Sequence, residues 1–301
     1  MIRPNRREFI FISAAAAART ALRGRSARAQ GRGIRLGVFI DMGKNPEAAL
    51  AQVRELGFPT CQMSTEDLDP GLAKRLLEAS RSLGVEVTAL NSHGPGKKVW
   101  DFYEGPLTIG LVPPQTRRAR IDHLKRASDF AKLCGVPALH SHAGFIPENP
   151  NDPLYQDTIA ALKEVVQQCK SNGQMFLYET GQESPITLLR AIHDVGLDNQ
   201  FVNLDTANLI LYGKGNPHDA LDVIGTLVRG VHAKDGLFPT DPKSLGREVP
   251  IGQGKVDFPR LIARLKQLKY TGAITIEREI SGPKQSEDIR QSRLFLEKLI
   301  A

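Results

Sequence analysis

Apolar residues along this chain come in short unbroken runs, separated by longer stretches in which they recur every three or four positions. The runs Ile34–Phe39, Thr60–Met63, Val85–Leu90 and Pro137–Ser141 predict strands, as do the segments that end at Glu179, Asp205, His232 and Glu277. The periodic stretches predict helices over Pro46–Gly57, Pro70–Gly84, Thr116–Gly135, Asp152–Gly173 and Phe258–Lys269. Others start at Pro185 and Pro217, and a last one runs from Ser286 to the C-terminus. Several open on proline and close on glycine, which suit the first turn and the left-handed end of a helix. In the stretch from Phe258, residues Phe258, Leu261, Ile262, Leu265 and Leu268 share one face. Eight strands alternating strictly with eight helices predict an α/β fold, a single-domain (β/α)8 TIM barrel rather than an open doubly wound sheet.

The longest irregular stretch, Asn91 to Gln115, is rich in glycine and proline and carries Trp100, Phe102 and Tyr103. A segment of this length is expected either to cover a site, with Trp100 stacking on a sugar face, or to form an aromatic patch on the barrel rim.

The later strand segments share one feature. LYETG (177–181), VNLDTAN (202–208), GVHAKDG (230–236) and AITIERE (273–279) each place a metal-capable side chain at the end of an apolar run, at spacings of 26, 27 and 45 residues. In a parallel barrel the strand C-termini form the active-site face, so Glu179, Asp205, His232 and Glu277 should converge there. Each alone has an ordinary reading: Glu277 beside Arg278, Asp205 capping a turn, His232 satisfied in the core. Together, three carboxylates in one barrel mouth repel one another, and a divalent cation resolves the conflict while His232 adds a neutral nitrogen donor. That donor set suits Mn2+, Co2+, Mg2+ or Zn2+.

These segments resemble the xylose-isomerase-like barrel superfamily of sugar (phosphate) isomerases and epimerases. The similarity runs over residues 34–300 and is strongest around Glu179-Thr-Gly-Gln-Glu183, Asp205-Thr-Ala-Asn208, His232-Ala-Lys-Asp235, Pro250-Ile-Gly-Gln-Gly-Lys255 and Ile276-Glu-Arg-Glu279. The resemblance implies that Glu179, Asp205, His232 and Glu277 bind one metal, and that Glu179 and Glu277 act as acid and base on opposite faces of a sugar. Such a pair supports epimerisation or aldose–ketose isomerisation through an enediolate. The same arrangement can eliminate water or an alcohol, so a lyase or dehydratase on a keto-sugar or glycoside stands as the alternative, and a non-catalytic sugar-binding barrel as a third. Asn208 departs from the pattern, since the epimerases commonly place a sugar-contacting histidine there.

Other polar residues are expected at the same mouth as substrate contacts: His93, His142, Gln182, Asn208, Lys234 and Trp100. Of His140 and His142, only one is expected to face the barrel interior, and His142 is the choice. Lys234 is expected either to polarise an oxyanion or to pair with Asp235 or Glu279. The three histidines are also similar to the trinuclear zinc endonuclease branch of the superfamily, but the charge argues against nucleic acid.

The formal charge of +7 belongs mainly to residues 1–29, which hold seven arginines and one acid; the rest of the chain has 33 basic and 32 acidic residues. That leader reads as a twin-arginine-type export signal: Arg6-Arg7-Glu8, then a weakly apolar alanine-rich stretch, then Ala27-Arg28-Ala29 for cleavage after Ala29. It predicts a periplasmic or otherwise exported protein whose barrel occupies 30–301. Export shifts the expected substrate towards an unphosphorylated sugar or sugar derivative. No apolar run is long enough to span a membrane, and a homo-oligomer is compatible with these features. Cys61, Cys134 and Cys169 form no spacing pattern and are expected to be buried thiols. Gly252-Gln-Gly254 is too short and too late for a dinucleotide fingerprint, and no nucleotide cofactor is expected.

Overall fold

The computed structural model describes residues 33–301. The predicted leader and its cleavage point lie outside the described residues. The strands are β1 (Arg35–Asp41), β2 (Thr60–Ser64), β3 (Glu86–Asn91), β4 (Ala138–His142), β5 (Met175–Glu179), β6 (Gln200–Asp205), β7 (Val228–Ala233), β8 (Asp235–Leu237), β9 (Arg247–Val249) and β10 (Ala273–Ile276). Eight of them close into a barrel in the order β1-β10-β7-β6-β5-β4-β3-β2, and the register is parallel throughout. The predicted (β/α)8 barrel is therefore the fold.

The helices are α1 (Pro46–Glu55), α2 (Pro70–Leu83), α3 (Gly105–Thr108), α4 (Pro114–Leu133), α5 (Pro153–Ser171), α6 (Pro185–Val195), α7 (Asn208–Leu211), α8 (Pro217–Ile224), α9 (Phe258–Gln267) and α10 (Pro283–Ile300). Local sequence explains how many of them begin. Asn45, Asp69, Asp152, Ser184 and Asn216 each cap a backbone N–H of the first turn, and each is followed by a proline. The cap satisfies one orphan donor, and proline at the first position has no N–H to leave unpaired. Gly84 and Gly196 end α2 and α6 in the left-handed conformation, at φ 64° and 69°.

Between strands and helices lies a closed apolar shell that includes Leu50, Val53, Leu76, Val165, Val166, Ile224 and Leu265, all buried. The three cysteines are free and buried in it, and burial pushes each thiol up to about 12.

Four elements were not expected. The short helices α3 and α7 interrupt stretches read as loop, and β8 and β9 form an antiparallel hairpin, Asp235 opposite Val249, above the barrel. Asp235 organises that hairpin. Its carboxylate accepts from the backbone N–H groups of Gly236, Gly252, Gly254 and Val256 at 2.9–3.1 Å. Gly254 is needed there, because a Cβ would stand 2.1 Å from Asp235 Oδ1. The Gly252–Gly254 loop thus serves to seat a carboxylate.

Candidate active site

Glu179 and Asp205 are the last residues of β5 and β6, His232 lies near the end of β7, and Glu277 directly follows β10, its N–H bonded to Ala233 O at 3.1 Å. These four strands are consecutive neighbours around the barrel, so closure of the sheet delivers the four side chains to one place. His232 Nδ1 is 3.0 Å from Glu179 Oε1, 3.2 Å from Glu277 Oε2 and 3.7 Å from Asp205 Oδ2. One donor atom from each residue lies within 4.8 Å of the others. Asp205 is split in function: Oδ1 accepts from the N–H groups of Ala207 and Asn208 at 2.9 and 2.6 Å, while buried Oδ2 has no hydrogen-bond partner among the described residues. A buried carboxylate oxygen left open and facing three other donors fits a cation site.

The electrostatics follow from crowding. Burial pushes the Asp205 carboxyl up to about 6 against the pull of Lys234. Burial acts on Glu277 too, but Lys234 and His232 outweigh it and hold the carboxyl below the usual range. For Glu179, burial is outweighed by His142, His140 and His232. Burial opposes charge on His232, yet Glu277 and Glu179 raise the imidazole well above its ordinary value.

His140 and His142 both reach Glu179, which corrects the expectation that only one faces inward. His140 Nε2 and His142 Nε2 lie 2.8 and 3.0 Å from Glu179 Oε2. Side chains two apart on a strand point to the same face, so the pair lines one side together. His140 sits deeper, where burial lowers it to about 4, and its Nδ1 takes a hydrogen bond from Asn91 Nδ2 at 3.1 Å. Beyond it His142 stacks on His93 at 5.5 Å, and Trp100 lies 5.0 Å from His142. Trp100 is 42% exposed and lines the cavity.

The cavity has a volume of about 560 Å³, with Glu179 and Glu277 in its wall. The expected contacts His93, His142, Gln182 and Asn208 line it as well. Lys234 stands behind them, fully buried, with Nζ 3.2 Å from Asn208 Oδ1, 3.2 Å from Glu277 Oε2 and 2.9 Å from Glu279 Oε2. It pairs with Glu279 and not with Asp235, whose oxygens are committed to the loop.

Several lining residues escaped the sequence reading. Tyr212 is buried, with its hydroxyl beside the side-chain amide of the expected contact Gln182. Glu66 enters from the loop after β2 and collects Ser92 Oγ, the N–H groups of His93 and Gly94, and His123 Nε2 at 2.9–3.0 Å. No periodicity marks these positions. The one available signal was a polar residue placed directly after a strand, which Glu66 nearly satisfies.

Residues 50–299 match the xylose isomerase-like TIM barrel family. A solved xylose isomerase domain protein from Planctomyces limnophilus is 33% identical, with a TM-score of 0.84 over 89% of this chain and 97% of its own. The L-ribulose-5-phosphate 3-epimerase of Salmonella heidelberg is 26% identical over 249 residues, covering 76% of this chain and 80% of the enzyme. A magnesium complex of a xylose isomerase-like TIM barrel protein from Mycobacterium smegmatis shares the fold, with a TM-score of 0.65 and 17% identity over 88% of this chain and 96% of that one. Sequence and fold together place this chain in the xylose isomerase-like TIM barrel family.

Proposed function

We propose that the protein is a divalent-metal-dependent isomerase or epimerase of an unphosphorylated sugar or sugar derivative. One observation carries the reading: two glutamates at the ends of different strands, Glu179 and Glu277, approach the same imidazole nitrogen within 3.0 and 3.2 Å at the wall of a cavity of about 560 Å³. The named activity of the Salmonella relative, a sugar 3-epimerase, is chemistry of this kind.

The donor set of Glu179, Asp205, His232 and Glu277 would hold the cation. When bound, it supplies Lewis-acid polarisation of a substrate carbonyl and its neighbouring hydroxyl. The remaining work falls to side chains. One glutamate takes the proton from the carbon beside the carbonyl, leaving an enediolate, and the other returns a proton to the opposite face or to the neighbouring carbon. Lys234 stabilises negative charge beside Glu277, while Gln182, Asn208 and Tyr212 present polar atoms for sugar hydroxyls. Trp100, His93 and His142 offer ring faces to the apolar side of a sugar.

The wall also carries Asp41, Glu66 and Glu279, and Lys98 is the one lysine in it. Such a balance disfavours a phosphorylated substrate. We propose further that the leader is an export signal and that the reaction lies outside the cytoplasm; sequencing the N-terminus of the exported protein tests that, with Gln30 expected first.

Elimination from a keto-sugar or glycoside is the second reading, favoured by a cavity larger than one sugar ring fills. A metal-supplemented screen in D2O, read by mass and NMR, separates the two. Isomerisation yields a product isomeric with the substrate apart from solvent deuterium; loss of water or an alcohol overturns the first reading.

A further inference from the structure

Behind the carboxylate cluster, Gln62 of β2 and Asn203 of β6 meet across the barrel interior, both buried. Gln62 Nε2 donates to Asn203 Oδ1 at 2.8 Å, and Gln62 Oε1 stands 2.8 Å from His232 Nε2. An amide oxygen only accepts, so the ring nitrogen it meets carries the proton. Nδ1 is the nitrogen that faces Glu179, Glu277 and Asp205.

We propose that Gln62 and Asn203 are positioning residues that lock the ring proton of His232 onto Nε2, and so select Nδ1 as the donor offered to a divalent cation. The inference rests on the metal reading above and goes beyond it, by naming the donor atom and the residues that choose it.

The sheet is built around this amide pair. The β2–β3 ladder changes register between Cys61 and Gln62, and the β6–β7 ladder between Val202 and Asn203. Such irregularities re-aim the side chains beside them. Gly230 on β7 leaves the space, because a Cβ there would stand 2.3 Å from Asn203 Oδ1 and 3.1 Å from Gln62 Nε2. Asn203 also lies two residues before Asp205 on β6, hence on the same inward face.

The direction of the amides matters. Were both turned over, Gln62 would offer an N–H to His232 Nε2 and force the ring proton onto Nδ1, among the carboxylates, where it blocks a cation. In the direction found, Nε2 keeps its proton while the one that Nδ1 shares with Glu179 is free to leave when a cation binds. Hydrogen-bond partners of this kind are worth roughly 10- to 100-fold in metal affinity.

The test uses the full-length protein labelled with 15N-histidine and loaded with Zn2+, with the His232 ring read by long-range 1H–15N correlation. The expected result is a proton on Nε2 and none on Nδ1. A proton on Nδ1 in the wild type overturns the proposal with no variant needed. Calorimetry with Mn2+ gives the second reading. Gln62→Leu and Asn203→Leu should weaken binding about 10- to 100-fold, whereas Asn203→Asp, an obligate acceptor that holds the Gln62 amide in the same direction, should stay near wild type. Equal weakening in Asn203→Leu and Asn203→Asp means that packing alone is at work and overturns the proposal. If the wild type binds no divalent cation, the metal reading fails separately. The ring is then read in the metal-free protein at a pH high enough for it to keep a single proton, where that proton on Nε2 upholds the amide lock and on Nδ1 overturns it.

Discussion

Glu179 and Glu277 share a functional group but not their company. Glu179 Oε2 is enclosed by His140 and His142, whereas Glu277 Oε2 is held by Lys234 and His232. Glu277→Gln keeps the volume and an oxygen donor but cannot take up a proton. Turnover should fall about 100-fold or more, measured as solvent deuterium appearing in the sugar, with the circular dichroism spectrum unchanged; full activity in this variant would remove the acid–base role. Glu183 offers a different case. It is buried, and burial pushes its carboxyl up to about 8. A carboxyl whose folded value exceeds its unfolded value is favoured protonated in the fold, so its contribution to stability is intact in acid and is lost as pH rises towards 8. Glu183→Gln should therefore match the wild type near pH 4 and exceed it by more than about 1 kcal/mol at pH 8 in thermal melts; a gain independent of pH would contradict this. At this scale the four strand-end residues were legible because each closes an apolar run. Gln62 and Tyr212 were not, because their roles depend on which strands and loops meet across the barrel.

Among the elements, the segment from Asn91 to Gln115 bears most directly on the site, since it supplies His93 and Trp100. It is held from below by Arg120 of α4, fully buried, which donates to the carbonyls of Pro95, Lys97 and Gly110 at 3.0, 3.1 and 2.8 Å. Arg120→Met would leave three carbonyls without this partner. Stability should drop by about 2 kcal/mol, and hydrogen exchange read by mass spectrometry should quicken over 95–110 before it does in the barrel strands. Uniform quickening would show that Arg120 supports the core and not this segment. The cap-then-proline pairs made helix starts readable, as at Pro46, Pro70, Pro185 and Pro217, each the expected residue. The β8–β9 hairpin could not be read, because strands of three residues carry no period and their pairing depends on Asp235 binding a loop that begins seventeen residues further on.

For the whole molecule, the alternation of short runs and periodic stretches fixed the barrel, and the barrel fixed the site, because strands adjacent around the ring bring distant residues together. The error of placement between His140 and His142 came from treating residues two apart as facing opposite ways, and Lys234, expected at the mouth, stands behind its wall. The closed sheet also explains why three carboxylates can be buried in one place: His232 and Lys234 partly offset them, and the open oxygen of Asp205 leaves room for one further positive charge. The most direct test is a calorimetric titration of chelator-treated protein with Mn2+, run beside Asp205→Asn. The account expects one cation per chain in the wild type and affinity reduced by more than about 100-fold in the variant; no binding by the wild type, or equally tight binding by Asp205→Asn, would contradict it.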